Sequence, residues 1–284
     1  MRRKHSMLVV LTLWLGLMPL GCQTNPATGR SQLKVLSEEQ EISIGMEAAP
    51  QFTSDYGGPI DDAQVMAFVR DIGNELAAVS ERPDLPWEFT VLDSSVINAF
   101  ALPGGKVFIT RGLLERLNNT AQLAGVLGHE VGHVTAQHIN EQMGQQMVLQ
   151  GVLAGIGVVS NSQWAQVLGV GAQAGGTVYL LKFSRDHEHE ADELGMRYMA
   201  KIGYNPIGQV QVMRILDEAS GGSRPPEWLS THPEPGNRAD RLEKMIPNRF
   251  PNYRKEGRFR MGEEEFQEQV LARLRRLPPP RHRG

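Results

Sequence analysis

Cysteine is almost absent from this sequence, since Cys22 is the only one among its 284 residues. A single thiol cannot close a disulfide within the chain, so the mature fold must be stable without one. An excess of charge of one sign is also missing, because the formal net charge is −3 and both signs are scattered along the chain. Nucleic-acid-binding domains carry extended basic surfaces, so we expect no nucleic-acid partner.

Long apolar runs are missing as well. A helix needs about 20 consecutive apolar residues to cross a bilayer, and the apolar stretch Met7–Leu20 is shorter than that. The segment 147–183 is rich in Gly, Ala and Val, but polar residues at 160–163 interrupt it. We therefore interpret this segment as a hairpin of buried or membrane-grazing helices, with a membrane segment as the alternative.

The N-terminus has the pattern of an export signal. Basic residues at 2–4 precede Met7–Leu20, and Gly21-Cys22 follows at once, which is the order of a secretory signal. A lone cysteine at this place resembles the lipobox of bacterial lipoproteins, although Pro19 stands where that pattern usually has Leu. We predict that residues 1–21 are removed.

The lipobox resemblance implies that Cys22 is lipidated and anchors the mature protein to a membrane on its periplasmic side. Gln23, where Asp would indicate the inner membrane, favours the outer membrane. Simple secretion and a retained N-terminal anchor are the alternatives. The expected partners thus include a membrane, and outer-membrane assembly proteins are further candidates.

Composition divides the chain into four expected regions. A signal peptide occupies residues 1–21, and a polar tether with the candidate lipidated cysteine occupies 22–36. The main domain is expected over 37–250. Residues 251–284 are expected to form a C-terminal helix and a disordered basic tail that ends in "RRLPPPRHRG".

Helical patterns dominate the main domain. Ser37 with Gln40 forms a capping box that predicts a first helix, and apolar spacing after Asp61 or Asp62 predicts a second. "WEFTVL", "INAFAL" and "KVFIT" read as strands, with the turn 103–105 between the last two. The sequence therefore predicts an α+β fold, mostly helical, with a small antiparallel sheet.

A third helix is expected to follow the sheet, from Asn119 or Thr120 to about Met143, and it contains "GHEVGH". Side chains at i and i+4 share one helix face, so His129 and His133 can bind a single ion. Glu130 is turned to the side, where a carboxylate can act on a water molecule without binding the ion. Two histidines that cap or pack against polar neighbours are the alternative.

The segment "FSRDHEHEADELGMRYM" offers a third ligand, because a catalytic zinc takes three protein ligands. Helical spacing places Glu188 on a face of small and apolar residues. Glu190 shares the other face with Glu193 and Arg197, whose i,i+4 spacing is typical of a solvated helix surface. We therefore predict that Glu188 is the inward carboxylate and the third ligand.

Asp192 lies one turn beyond Glu188 on the same inward face. A carboxylate there can accept the N–H of a ligating histidine and fix the orientation of its ring, with an ordinary helix salt bridge as the alternative. His187 and His189 are expected to be surface residues, with a role as metal ligand as the alternative.

These motifs together resemble the M48 family of zinc metallopeptidases, whose pattern is HExxH followed by ExxxD. The chain has them at His129–His133 and Glu188–Asp192. "NPATGR", "NAFALPGGKVFITRGLL", "FSRDHEHEADELG" and "STHPEPGNRADRL" also match, so the resemblance spans about residues 24–245. Among the family, the short periplasmic lipoprotein members are the expected group.

The resemblance implies a zincin-like fold, one zinc ion per chain and hydrolysis of peptide bonds in polypeptide substrates. Glu130 then serves as the general base. His232 and Arg238 match the family's auxiliary residues for the oxyanion, and in similar relatives the equivalent of His232 can approach the metal and hold the enzyme latent. A loop histidine without a role is the alternative for His232.

One strand is expected to form the sheet edge that receives substrate, and its residues are Asn98, Ala99, Phe100, Ala101 and Leu102. An unpaired edge binds extended polypeptides through backbone hydrogen bonds, with little sequence preference. This suits a zinc endopeptidase for quality control of misfolded or misassembled envelope proteins. It also suits a zinc-stabilised, chaperone-like lipoprotein that seldom cleaves its clients, but such a binder has no use for the general base Glu130.

Overall fold

The structure is a computed structural model and describes residues 22–149, 182–222 and 225–282. The expected signal peptide lies outside the described residues, and so does most of the expected hairpin at 147–183. Within the described ranges, no helix is both long and apolar enough to cross a membrane.

Helices make up most of the described chain, together with two small sheets. The strands are β1 (Cys22–Thr24), β2 (Ser31–Leu33), β3 (Glu88–Leu92), β4 (Ala99–Leu102) and β5 (Lys106–Thr110). The longer helices are α1 (Glu38–Asp55), α2 (Ala63–Ala78), α4 (Thr120–Thr135), α5 (His138–Leu149), α6 (Arg185–Lys201), α7 (Ile207–Ser220) and α9 (Pro235–Arg249). Short helices are α3 (Arg111–Leu114), α8 (Trp228–Thr231), α10 (Glu263–Phe266) and α11 (Ala272–Leu274), the last two joined by a π-helical turn over Gln267–Leu271. This is the zincin-like α+β fold that the sequence predicts.

The predicted helix starts are confirmed by their caps. The Ser37 hydroxyl accepts from the Gln40 backbone N–H while the Gln40 side chain accepts from Ser37 N–H, which completes the capping box. Asp62 caps α2 and Asn119 caps α4. Every residue of α4 is buried, so this helix runs through the centre of the core.

The main sheet is mixed rather than antiparallel, which corrects the expectation from sequence. The strand order is β3-β5-β4, with β4 antiparallel and β3 parallel to β5. Gly104 and Gly105 have φ of 76° and 94°, and this left-handed backbone closes the tight turn that pairs Leu102 with Lys106. Because β4 occupies one side of β5 through this turn, β3 pairs with the other side and runs parallel to it.

The segment 22–36 is partly folded instead of forming an extended tether. Strands β1 and β2 make a hairpin that packs on the end of α4. The buried side chain of Asn25 donates to Thr135 O at 3.2 Å, and that of Gln32 donates to Ala136 O at 3.0 Å. The hairpin thereby satisfies carbonyls that the end of a helix leaves unpaired.

The helix that carries His129 and His133 ends earlier than predicted, at Thr135 rather than near Met143. Gln137 has a φ of 56°, a left-handed conformation that stops the helix. A new helix, α5, begins at His138. The break turns His138 back toward His133.

The C-terminal region is ordered up to residue 282, so the expected disordered tail is wrong for that part. Phe266, Val270 and Leu274 are fully buried in the core. Beyond them, Arg281 forms a 2.8 Å ion pair with Asp93 and His282 Nδ1 lies 2.8 Å from the Ser94 hydroxyl. The tail is held because its basic residue meets a buried acid beside the sheet.

Candidate metal centre

The site begins with the close approach of α4 and α6, which glycines permit. A Cβ atom placed on Gly132 would lie 2.8 Å from Ala191 O, and one on Gly195 would lie 2.8 Å from His129 N. Side chains of any size at these positions would separate the helices. The glycines of "GHEVGH" and "ADELG" thus bring the face of α4 that carries His129 against the inward face of α6.

Four buried side chains meet at this crossing. His129 and His133 come from α4, Glu188 from α6, and His232 from the end of α8, and one ligand atom of each lies within 4.8 Å of all the others. Each of the four is at most 2% exposed. The structure therefore brings together the three predicted ligands and adds His232 to them.

Asp192 contacts His129 from the place where the sequence predicts an orienting carboxylate. Its carboxylate lies 3.1 Å from His129 Nδ1. Arg238 binds the same carboxylate at 2.6 Å and 2.9 Å. Burial alone would raise the pKa of Asp192, but Arg238 lowers it to about 2. The carboxylate stays ionised and accepts the Nδ1–H of His129, which leaves Nε2 with its lone pair directed into the cluster.

His133 contacts a residue that the sequence reasoning missed, His138. His133 Nδ1 lies 2.9 Å from Nδ1 of His138, and His138 Nε2 lies 3.0 Å from the Glu190 carboxylate. Burial lowers the pKa of His138 to about 4, so this imidazole is neutral. Glu190 accepts from Nε2–H, and His138 Nδ1 must therefore accept from Nδ1–H of His133.

A zinc ion fits this cluster. Ligand atoms bound tetrahedrally to zinc at about 2.1 Å lie about 3.4 Å from each other. Here Nε2 of His129 lies 3.0 Å from Nε2 of His133, and each of them lies 3.5 Å from a Glu188 oxygen. Asp192 and His138 fix both histidines so that their lone pairs face each other, an arrangement that repels unless a cation lies between them.

Burial and neighbouring charges at the site favour the protonation states that bind a metal, a neutral imidazole and an ionised carboxylate. Burial lowers the pKa of His133 well below its ordinary value, which keeps the imidazole neutral. Burial alone would raise the pKa of Glu188, but His232 and Arg238 outweigh it and hold this pKa well below the ordinary value. Arg238 forms a buried ion pair with Glu188 as well as with Asp192.

Glu130 lies beside the cluster and outside the ligand set. It is 1% exposed, and its Oε1 accepts no hydrogen bond from the described residues. The closest basic atom to Oε1 is Nε2 of His232, at 3.8 Å. A buried carboxylate oxygen without a donor is costly, and one next to a metal cluster can accept a proton from water or return it to a leaving group.

His232 lies closer to the ligand cluster than a residue that only assists the oxyanion needs to. Its Nδ1 lies 2.9 Å from Glu188 Oε1 and 3.3 Å from His129 Nε2. The ring stacks on Trp228 with centroids 4.4 Å apart. This side chain therefore fills part of the site, whereas the alternative from sequence was a loop histidine without a role.

Strand β4, the predicted substrate strand, lies at an edge of the sheet, but its residues are buried. Thr110 N donates to Asn98 O at 3.0 Å, and the alternation of an antiparallel ladder then directs the peptide groups of Ala99 and Ala101 away from β5. No described strand pairs with that side. The residues from Asn98 to Leu102 are nonetheless all buried.

The segment around α8 ties down the start of this strand. Trp228 N donates to Ile97 O at 3.3 Å. The Glu227 carboxylate accepts from the Asn98 side chain at 3.1 Å and from the Tyr56 hydroxyl. Burial and the Glu227 charge raise the pKa of Tyr56, so the hydroxyl keeps its proton and donates.

Two surface assignments from sequence were wrong. His187 is only 3% exposed, stacks on His138 with centroids 4.4 Å apart and lies 3.3 Å from Glu141. Glu190 belongs to the network behind His133 rather than to a solvated face, and it forms a 2.6 Å ion pair with Arg30. Helical phase missed both because their partners come from α5 and the N-terminal hairpin. The lipidation candidate Cys22 begins β1 and pairs with Leu33.

Comparison with known proteins agrees with this geometry. Residues 63–246 match the sequence profile described as Peptidase family M48. The chain is 31% identical over 235 residues to the Beta-barrel assembly-enhancing protease of Yersinia pestis, a match that covers 78% of this chain and 48% of that protein. It is also 31% identical over 244 residues to Metalloendopeptidase OMA1, mitochondrial, of Bos taurus, covering 79% of this chain and 46% of that protein.

The chain thus spans about half the length of the curated relatives it matches. The matched range 63–246 contains all four side chains of the cluster and the carboxylate of Glu130. Sequence, geometry and comparison therefore agree on one kind of site. The chain belongs to peptidase family M48.

Proposed function

We propose that this protein is a zinc-dependent endopeptidase of the bacterial cell envelope that removes misfolded or misassembled envelope proteins. His129, His133 and Glu188 hold the ion. Zinc, when bound, supplies a Lewis acid that acidifies water and polarises the scissile carbonyl. The observation that supports the chemistry most strongly is the buried, unpartnered Oε1 of Glu130 beside the ligand cluster.

Each remaining side chain has a defined task in this proposal. Glu130 takes the proton from the attacking water and later passes it to the leaving amine nitrogen. Arg238 pairs with Glu188 and Asp192 and offsets part of their negative charge, and Asp192 holds the ring of His129 in its binding orientation. His232, once it moves away from Glu188, donates to the oxyanion of the substrate.

Substrate binding is assigned to the free peptide groups of β4. The edge residues Asn98 to Leu102 would pair with an extended polypeptide through backbone hydrogen bonds. Because Glu227 and Trp228 hold the segment around α8 against this strand, binding requires that segment to move. The same movement would withdraw His232 from the cluster, so the described conformation corresponds to a latent enzyme.

The envelope location rests on the N-terminal sequence and on the named activity of a relative. One matched protein is a Beta-barrel assembly-enhancing protease, which makes outer-membrane assembly proteins candidate partners. Lipidation of Cys22 would place this chain on the periplasmic side of the outer membrane. Mass spectrometry of the mature N-terminus should find an acylated Cys22; cleavage at another residue without acyl chains would contradict the anchor.

A substrate-trapping experiment tests the function. Glu130→Gln should bind an unfolded envelope protein without cleaving it, since the β4 edge does not involve this carboxylate. Wild type should cleave the same client, and a Glu218→Ala variant, changed at an exposed position on α7, should behave like wild type. If Glu130→Gln supports every envelope function of wild type in cells, proteolysis is incidental and the chaperone-like activity is the relevant one.

A further inference from the structure

We propose that the N-terminal hairpin positions the metal ligand His133 through a relay of three residues, Arg30, Glu190 and His138. This inference rests on the proposed role of His133 as a zinc ligand. It assigns a task to the "NPATGR" segment, residues 25–30, which lies far from α4, residues 120–135, in sequence. Arg30, Glu190 and His138 are positioning residues, because none of them touches the ion or the substrate.

The relay is a continuous chain of polar contacts. The Arg30 guanidinium donates to Glu190 at 2.6 Å, Glu190 accepts from His138 Nε2 at 3.0 Å, and His138 Nδ1 meets His133 Nδ1 at 2.9 Å. Exposure falls along it, from 38% for the side chain of Arg30 to 21% for Glu190 and 0% for His138. The relay therefore connects the protein surface to the innermost ligand face.

The direction of each hydrogen bond follows from chemistry. An ionised carboxylate only accepts, so the His138 nitrogen that faces Glu190, Nε2, carries a proton. A histidine that binds a cation through Nε2 keeps its own proton on Nδ1, so His133 Nδ1 donates to His138 Nδ1. The 2.9 Å contact between these two nitrogens therefore favours the form of His133 whose inner Nε2 presents the lone pair that a cation needs. Partners of this kind orient the ligand ring and raise its basicity.

A second arm holds the relay in place. Arg30 also forms a bidentate pair with Glu141, at 2.9 Å and 2.6 Å. Glu141 accepts from His187, whose ring stacks on His138. Arg30 thus joins carboxylates from α5 and α6, which are the two helices that carry His138 and Glu190. Loss of Arg30 would leave Glu190 free to turn toward solvent.

A matched ion pair on the same helix separates positioning from ordinary stabilisation. Glu193 lies on α6 one turn from Glu190 and pairs with Arg241. The side chains of this pair are 39% and 30% exposed, and those of Glu190 and Arg30 are 21% and 38% exposed, so both pairs are partly buried. The variants are therefore Glu190→Leu and Arg30→Met, with Glu193→Leu and Arg241→Met as controls. Zinc dissociation constants are measured by competition with a chromophoric chelator. The visible absorption of the Co²⁺-substituted proteins reports on ligand geometry.

We expect Glu190→Leu to raise the zinc dissociation constant by about 10-fold to 100-fold, the range found for partners of ligating histidines, and to shift the Co²⁺ bands. Arg30→Met should raise it by a smaller factor. Glu190→Gln, whose carbonyl oxygen can still accept from His138, should recover most of the affinity and covers the case in which Glu190→Leu does not fold. The control pair should leave both readouts unchanged.

Two results would overturn the relay. Equal losses of zinc affinity in both pairs would mean that each variant acts only through stability, and wild-type affinity in Glu190→Leu would mean that His133 needs no support. Neither result affects the proposed function, which instead fails if wild type itself binds no zinc.

Discussion

At the scale of single residues, the site depends on fixed proton positions as much as on ligand identity. Asp192 and His138 each hold the outer nitrogen of one histidine, so both inner nitrogens present lone pairs at 3.0 Å from each other. Without a cation this contact is unfavourable. The cluster is therefore built for an ion, and the residues behind the ligands set its affinity.

Asp192→Ala, a change on the buried face in the middle of α6, tests whether the partner of His129 sets the zinc affinity. The variant removes the acceptor for His129 and leaves Arg238 with one counter-ion, so the zinc dissociation constant should rise by about 10-fold to 100-fold. Breaking a buried ion pair should also lower the free energy of unfolding by about 3–5 kcal/mol. Chelator competition and urea unfolding of the metal-free protein measure the two effects. Unchanged zinc affinity would show that His129 needs no oriented partner.

Sequence spacing could identify the ligands because their arrangement is local. His129 and His133 share a helix face at i and i+4, and the phase of α6 separates Glu188 from Glu190 as expected. Sequence spacing could not identify the residues that contact the ligands from behind. His138 acquires its role only because the chain turns at Gln137, and Arg30 reaches Glu190 only through tertiary packing of the hairpin.

At the scale of elements, the distance between α4 and α6 determines whether ligands from two helices meet. Gly128, Gly132 and Gly195 allow the backbones to touch at this crossing. The break after α4 is the second decisive feature. Sequence could not predict it, because Gln137 adopts a conformation that normally requires Gly or Asn. The strand order was also unpredictable, since pairing of β3 with β5 depends on which side β4 occupies.

Gly195→Ala should separate the two helices. Its Cβ would meet backbone atoms at 2.8 Å and 2.9 Å, which cannot move independently of α4. Overpacking of this kind costs about 1–3 kcal/mol of unfolding free energy, and zinc affinity should fall with it. Gly221→Ala is the control, because the nearest atom to its Cβ is 3.9 Å away. Thermal unfolding and zinc titration of both variants test this prediction. Equal stability and equal zinc affinity in Gly195→Ala and Gly221→Ala would contradict the close-packing argument.

A change in the segment around α8 should raise activity, whereas the change in α6 should cause a loss. Glu227→Ala removes the acceptor for Tyr56 and Asn98, so the segment should leave β4 more often and peptidase activity should rise severalfold. The kcat/KM for an unfolded protein substrate is the measurement, with Glu218→Ala as an exposed acidic control. A decrease in activity without loss of zinc would indicate that Glu227 assists substrate binding instead of restraining the segment.

At the scale of the whole molecule, the chain closes on itself around α4. The N-terminal hairpin covers the end of this helix, and the C-terminal region contacts its start, where Thr120 N and Oγ1 donate to Gly262 O. The sequence predicts a C-terminal helix within 251–284 but not where it packs. Its basic tail is ordered by Asp93, a partner nearly 190 residues away that no local pattern reveals.

Phe266→Ala should weaken the fold without touching the chemistry. The side chain is fully buried against the core, so truncation should lower the free energy of unfolding by about 3–5 kcal/mol. Zinc affinity of the folded protein should stay within twofold of wild type, since no ligand lies on this element. Urea unfolding beside Glu268→Ala, an exposed neighbour, provides the comparison. A loss of less than 1 kcal/mol would place the C-terminal region outside the cooperative core.

The most direct test of the central claim combines zinc content with hydrolysis in wild type and Glu130→Gln. We predict one zinc per chain in both proteins, because this carboxylate is outside the ligand cluster. Removal of the general base should slow cleavage of an unfolded protein substrate by at least about 10²-fold to 10⁴-fold. Cleavage by Glu130→Gln at the wild-type rate, or a wild-type protein that binds no zinc, would contradict the account.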